Sequence, residues 1–65
     1  MPTKPIVTGP IDGNIFSVLG ATKKALQKAG KSVEASTCQE RVFKAESYDN
    51  ALAICCEYVE FDLDS

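Results

Sequence analysis

The 65-residue chain contains no histidine and no tryptophan, and a single methionine. The missing histidine removes the usual base partner of a nucleophile and the commonest metal ligand. Cysteine is scarce and badly spaced for a framework. Cys38, Cys55 and Cys56 make an odd number, and two of them are neighbours. That pattern gives no disulfide ladder. It gives no C-x-x-C pair to start a zinc site either. Ordinary reduced, buried thiols are the expectation, with no metal and no cofactor. No apolar run approaches the roughly 20 residues of a membrane span. The opening Met1-Pro2-Thr3-Lys4-Pro5 lacks the apolar centre of a signal peptide, so the expected setting is the cytoplasm, with no membrane partner. Positive charge is not in excess: seven Lys and Arg face nine Asp and Glu, for a net charge of -2. That balance argues against a dedicated DNA binder.

What is present has globular proportions. Hydrophobic residues make up 45% and charged residues 25% of the chain, which argues against wholesale disorder. The expectation is one small domain over residues 1–65. A domain of this size buries only about 60% of the surface its unfolded chain exposes. Without disulfides or a metal, stability must come from helix packing or from a second copy, so a homodimer is one expected solution.

The patterning predicts a strand, three helices and a strand. Pro5 biases Lys4 away from helix, and Ile6, Val7 and Thr8 are β-branched, so the start reads as extended. Gly9-Pro10 breaks it, and residues 11–14 form a turn. A first helix runs from about Asn14 to Ala29. Ile15, Leu19, Thr22, Leu26 and Ala29 fall on one side, and Gly30 is the natural stop. Gly20 costs this helix about 1 kcal/mol relative to alanine. Close approach of another backbone is the expected reason. A second helix runs from Ser32, as cap, to about Ala45, with the thin stripe Ala35, Cys38, Val42 and Ala45. The third begins at Ser47, a good N-cap, with Asp49 in its first turn. Tyr48, Leu52, Cys55 and Val59 mark one face, widened by Ala51, Ile54 and Tyr58. At the end Val59, Phe61 and Leu63 alternate with Glu60, Asp62 and Asp64, the period of a half-buried strand. Ile6 and Val7 are its partner. The fold class is therefore α+β: a three-helix bundle packed on a two-stranded sheet made by the N- and C-terminal strands, β-α-α-α-β.

The spacing Asp12-Gly13-Asn14, Phe16, Leu19-Gly20, Ala25-Leu26 and Ala29-Gly30 reads D-G-N-x-F-x-x-L-G-x(4)-A-L-x-x-A-G. It is followed by Ser47-Tyr48-Asp49-x-Ala51-Leu52 and Glu57-Tyr58-Val59-Glu60. The pattern resembles a group of short uncharacterised proteins of Firmicutes, their phages and their mobile elements. The resemblance implies a phage- or plasmid-linked accessory protein and carries no catalytic residue to transfer. Its residues also have folding explanations: Asp12 and Asn14 as helix caps, Phe16 and Leu19 as core anchors, and Tyr48 as a packed ring with a wet hydroxyl.

Catalytic chemistry finds little to stand on. Cys55 and Cys56 fall late in the third helix, where the dipole disfavours a thiolate. Cys38 is mid-helix. The acids at Glu57, Glu60, Asp62 and Asp64 read as a solvated face, since general acid–base work needs a cleft. Asp12-Gly13-Asn14 lacks the order and the distal glutamate of a calcium loop. The expectation is a protein that is not an enzyme.

Charge is unevenly distributed. Lys23, Lys24, Lys28, Lys31, Arg41 and Lys44 dominate the middle of the chain, against Glu34 and Glu40. From residue 46 onward Glu46, Asp49, Glu57, Glu60, Asp62 and Asp64 stand without a base. Lys24, Lys28 and Lys31 are spaced for one helical stripe. A solubilising face explains such a stripe; so does docking of an anionic partner. The second helix opens Val33-Glu34-Ala35, which does not suit a recognition helix for base edges. The terminal strand could in turn accept a partner's strand on its free edge. The expected function is a non-catalytic accessory or interaction protein binding a macromolecular partner, most simply a protein. The candidate surfaces are Lys23, Lys24, Lys28 and Lys31, and Glu60, Asp62 and Asp64. The alternative is a small nucleic-acid-binding module using the lysines of the first helix.

Overall fold

The computed structural model describes residues 4–8 and 13–62. Among the described residues five elements follow one another: β1 (Ile6–Thr8), α1 (Ile15–Lys28), α2 (Ser32–Phe43), α3 (Tyr48–Tyr58) and β2 (Glu60–Asp62). The architecture is the small α+β arrangement that the patterning predicts, with β1 and β2 forming one two-stranded sheet.

Local chemistry sets the helix ends. Asn14 is extended, and its side-chain oxygen accepts from the Phe16 amide at 2.8 Å, satisfying one free donor at the start of α1. At the other end Gly30 adopts φ 77, which glycine takes without a Cβ penalty. The Gly30 amide then donates to the Gln27 carbonyl at 3.1 Å, and the Lys31 amide to the Leu26 carbonyl at 2.8 Å. This pair of bonds is the Schellman closure that turns the chain toward α2. Ser47 caps α3, its hydroxyl oxygen accepting from the Asn50 amide at 3.1 Å. The expected cap of α2 is corrected. Ser32 is already helical, and Lys31 holds the cap position without a side-chain bond. The helix also stops at Phe43, short of Ala45.

The three helices close around Val18, Leu19, Leu26, Ala35, Cys38, Val42, Ala51, Ile54 and Cys55, joined by Val7 from β1 and by Val59 at the C-cap of α3. Leu26 is 1% exposed and Thr22 is fully buried. Thr22 stays in the core because its hydroxyl donates to the Val18 carbonyl at 2.9 Å, so no polar atom is left unpaired there.

The strands run parallel, Ile6 opposite Glu60, Val7 opposite Phe61 and Thr8 opposite Asp62. Parallel neighbours need a long crossover, and here the whole helical bundle supplies it. The alternation holds: Val7 is buried and Phe61 half-buried against the bundle, while Ile6, Thr8, Glu60 and Asp62 are exposed. The Glu60 amide donates to the Pro5 carbonyl at 2.9 Å, extending the ladder by one bond. Leu63 and Asp64, read as continuing the strand, lie outside the described residues, as does Asp12.

Three packing expectations are overturned. Phe16 is 67% exposed and is not a core anchor. At α1's period it falls outside the stripe of Val18, Leu19, Thr22 and Leu26. Tyr48 is also largely exposed, so α3 buries Ala51, Ile54 and Cys55 at its centre instead. Nothing approaches Gly20: a Cβ added there would meet open space. Its cost to the helix is not offset by a packing contact.

Candidate functional site

One end of the bundle is where α1 begins, α2 ends and α3 begins. A cleft of about 300 Å³ opens there, lined chiefly by Ile15, Phe16, Val42, Phe43, Tyr48 and Ala51, with Glu46 at its rim. Phe16 and Phe43 meet across it with ring centroids 6.3 Å apart and planes inclined by 59°. That separation and tilt is a favourable aromatic pairing. Yet both rings face solvent, Phe16 at 67% and Phe43 at 60% exposure. The Tyr48 hydroxyl donates to the Gly13 carbonyl, tying the start of α3 to the turn before α1. This bond fixes the mouth of the cleft. Aromatic side chains are thus left outside a small core and gathered around a concave apolar surface.

Sequence reasoning missed Phe43 altogether. Its signal is a large aromatic one residue after Val42, at the end of α2 and off the stripe that α2 buries. Read together with Phe16, equally off-stripe on α1, it would have marked an aromatic seam between the two helices.

The lysines divide. Lys24 and Lys28 are exposed on α1, and Lys23 is half-buried beside them. Lys31 does not continue the stripe, because α1 ends at Lys28 and Lys31 sits half-buried at the N-cap of α2. Lys23, Lys24 and Lys28 have no ion-pair partner among the described residues. α1 itself carries no acid. Counting from Phe16, Gly20, Lys23 and Gln27 follow at helical spacings of four, seven and eleven, so they share one line on the helix surface. The basic row therefore runs on directly from the aromatic cleft.

Glu60 and Asp62 lie on the outer face of the sheet. A shallow depression of about 550 Å³ runs beside them, lined by Ile6, Cys56, Val59, Glu60, Phe61 and Asp62. The Lys4 ammonium donates to the Cys56 carbonyl at 2.9 Å, an acceptor in the last turn of α3. The structure does not bring the acidic strand and the lysine row into one site, and Asp64 lies outside the described residues.

The seam between α2 and α3 is occupied by folding contacts. Arg41 donates to both oxygens of Glu57, at 2.8 and 3.0 Å, and to the Tyr58 hydroxyl at 3.1 Å. Its guanidinium also lies 5.7 Å from the Tyr58 ring centroid. The Arg41 hydrogen bonds hold the Glu57 carboxyl below its ordinary range. Beneath this brace Cys38 and Cys55 are fully buried and both free. Burial, reinforced by Cys55, pushes the Cys38 thiol up to about 12. A thiol held protonated in this way is a poor nucleophile at neutral pH. Cys56 is exposed, which corrects the expectation that all three thiols are buried. Among the described residues no group of three or more Cys, Asp or Glu side chains is placed to hold a metal ion, and no helix is long and apolar enough to cross a membrane.

No protein-family model, no curated protein and no solved structure matches this chain.

Proposed function

We propose that the protein is a non-catalytic interaction module that docks a macromolecular partner through the aromatic cleft at the start of α1 and α3. The observation that carries this reading is the solvent exposure of Phe16, Phe43 and Tyr48 around a concave apolar surface. A fold this small has few large apolar residues, and leaving three aromatics outside the core forgoes stability. Rigid aromatic rings around a fixed pocket are the usual anchors of protein–protein binding. The Tyr48 bond to Gly13 pre-forms the pocket, which lowers the ordering cost of binding. The setting proposed is that of an accessory protein of a phage or mobile element, as the sequence resemblance implies, acting in the cytoplasm, as the lack of a signal-peptide centre suggests.

The test compares baits. Wild-type protein and the Phe16→Gln/Phe43→Gln variant are used in affinity purification from a Firmicutes host, with quantitative mass spectrometry. Circular dichroism first establishes that both baits are folded. The reading expects at least one protein retained by the wild type and lost by the variant. Identical retention by both baits sinks it.

A further inference from the structure

Resting on that docking reading, we infer that the occupant of the cleft is an acidic amphipathic segment, most simply a helix, that seats an apolar side chain between Phe16, Phe43 and Tyr48 and lays its carboxylates along Lys23, Lys24 and Lys28. The argument starts from the outer face of α1. Phe16, Gly20, Lys23 and Gln27 share one line, with Lys24 and Lys28 on the next. The run from Phe16 to Lys28 covers about 18 Å of helix axis, the length of three helical turns of a partner. α1 itself contributes only positive charge to this face, because it contains no acid. Its lysines are not engaged in ion pairs among the described residues. They are therefore available to steer and orient an anionic partner.

Gly20 supplies the geometry. It is exposed, and nothing lies within 4 Å of where a Cβ would stand. Its backbone is not in the left-handed region, since Gly30 is the only described residue with positive φ. The fold thus has no conformational or packing need for glycine at this position. The lack of a side chain does leave a low, open path between the aromatic end of α1 and its basic end. A helix laid along α1 can come close at Gly20, as small residues permit elsewhere. The cleft volume of about 300 Å³ suits one or two apolar side chains rather than a stacked base, and the two phenyl rings already meet each other, tilted by 59° with centroids 6.3 Å apart. An acidic peptide is therefore favoured over a nucleic acid strand.

The experiment displays a library of random peptides of about 16 residues, roughly 24 Å as a helix, to the native full chain. The probes then measured are the enriched peptides themselves, synthesised and labelled, alongside a single-stranded oligothymidylate of similar length. The expected winners carry an apolar anchor followed, two to three turns on, by a cluster of Asp and Glu. Their affinity should fall at least about tenfold, the effect of losing a hot-spot contact, in Phe16→Gln/Phe43→Gln and in Lys23→Glu/Lys24→Glu. It should also fall with added salt. The discriminating variant is Gly20→Gln, which replaces the helix's weakest former and should melt no lower than wild type. It should nevertheless bind the peptides worse, because its side chain blocks the path. Winners that need Phe16 and Phe43 but show no acidic bias overturn this inference and leave the docking reading standing. A library that yields no cleft-dependent binder overturns both. Oligothymidylate bound through the same lysines, with peptides indifferent to them, assigns the face to nucleic acid and overturns the inference.

Discussion

The two faces of α1 are made by one helix and obey different rules. Its inner face, Val18, Leu19, Thr22 and Leu26, is almost wholly withdrawn from water, and even its one hydroxyl is internally bonded. Its outer face carries a phenyl ring, a glycine and three lysines, and nothing in the bundle touches the space over that glycine. The inner face is explained by the energetics of a small core. The outer face departs from what stability alone would choose, with an exposed aromatic where a polar residue would serve and a glycine where alanine would. Departures from local consistency that lack a folding compensation are where function is to be sought.

The contrast can be broken from its strong side first. Leu26→Ala should cost about 2–5 kcal/mol, the usual range for a buried leucine. A chain of this length has roughly 3–10 kcal/mol to lose. Urea unfolding followed by circular dichroism should therefore find a midpoint far below that of the wild type, with the variant already unfolding without urea if the wild type lies at the low end of that range. A loss below about 1 kcal/mol would mean that α1's inner face is not the core.

The α2–α3 seam gives the next effect. Burial raises the Cys38 thiol from its ordinary 9.0 to about 12, so the folded state retains a proton that the unfolded chain releases. Stability from this source is complete below about 9 and lost as pH rises toward about 12. The slope is at most about 1.4 kcal/mol per pH unit. Glu57 acts in the opposite sense: its lowered carboxyl contributes stability at neutral pH that fades on acidification. Stability against pH should therefore show an alkaline fall that Cys38→Ala removes and an acid fall that Glu57→Gln reduces. In native protein, a thiol reagent at neutral pH should label Cys56 first and reach Cys38 only on unfolding. Rapid labelling of Cys38 would contradict its placement.

Effects on the outer face should be smaller, and one of them opposite in sign. Gly20→Ala should raise stability by about 0.5–1 kcal/mol, since alanine is the better helix former and meets no neighbour. A destabilised Gly20→Ala would restore the idea that another backbone packs there. Smallest is Phe16→Gln, which should change stability by no more than about 1 kcal/mol. A loss as large as that of Leu26→Ala would return Phe16 to the core and erase the difference between the two faces.

Much of this fold was legible from the order of residues. Helical spacing found Leu19, Thr22 and Leu26. Asn14, Gly30 and Ser47 announced their helix ends because capping is a local, side-chain-to-backbone affair. The alternation Val59, Glu60, Phe61, Asp62 announced a strand because successive side chains of a strand point to opposite faces. Neither the parallel direction of the sheet nor the exposure of Phe16, Phe43 and Tyr48 was legible. Periodicity gives a helix's apolar side but not the width of what its neighbours can cover, so rings at the margin of a stripe are read as core. Of the candidate site, the lysines of α1 were visible as charge spacing. The cleft was not, because it exists only where the ends of three helices separated in sequence come together.

The parallel pairing of β1 with β2 has a consequence for how the chain is made. Contacts such as Lys4 with Cys56 join positions 52 residues apart. During synthesis β1 therefore has no mate until Glu60, Phe61 and Asp62 have been added. Closing the ribbon is then the slow, late event that distant contacts impose. A released chain truncated before residue 60 should therefore carry β1 as a loose leading edge with no strand to pair with, open to proteases.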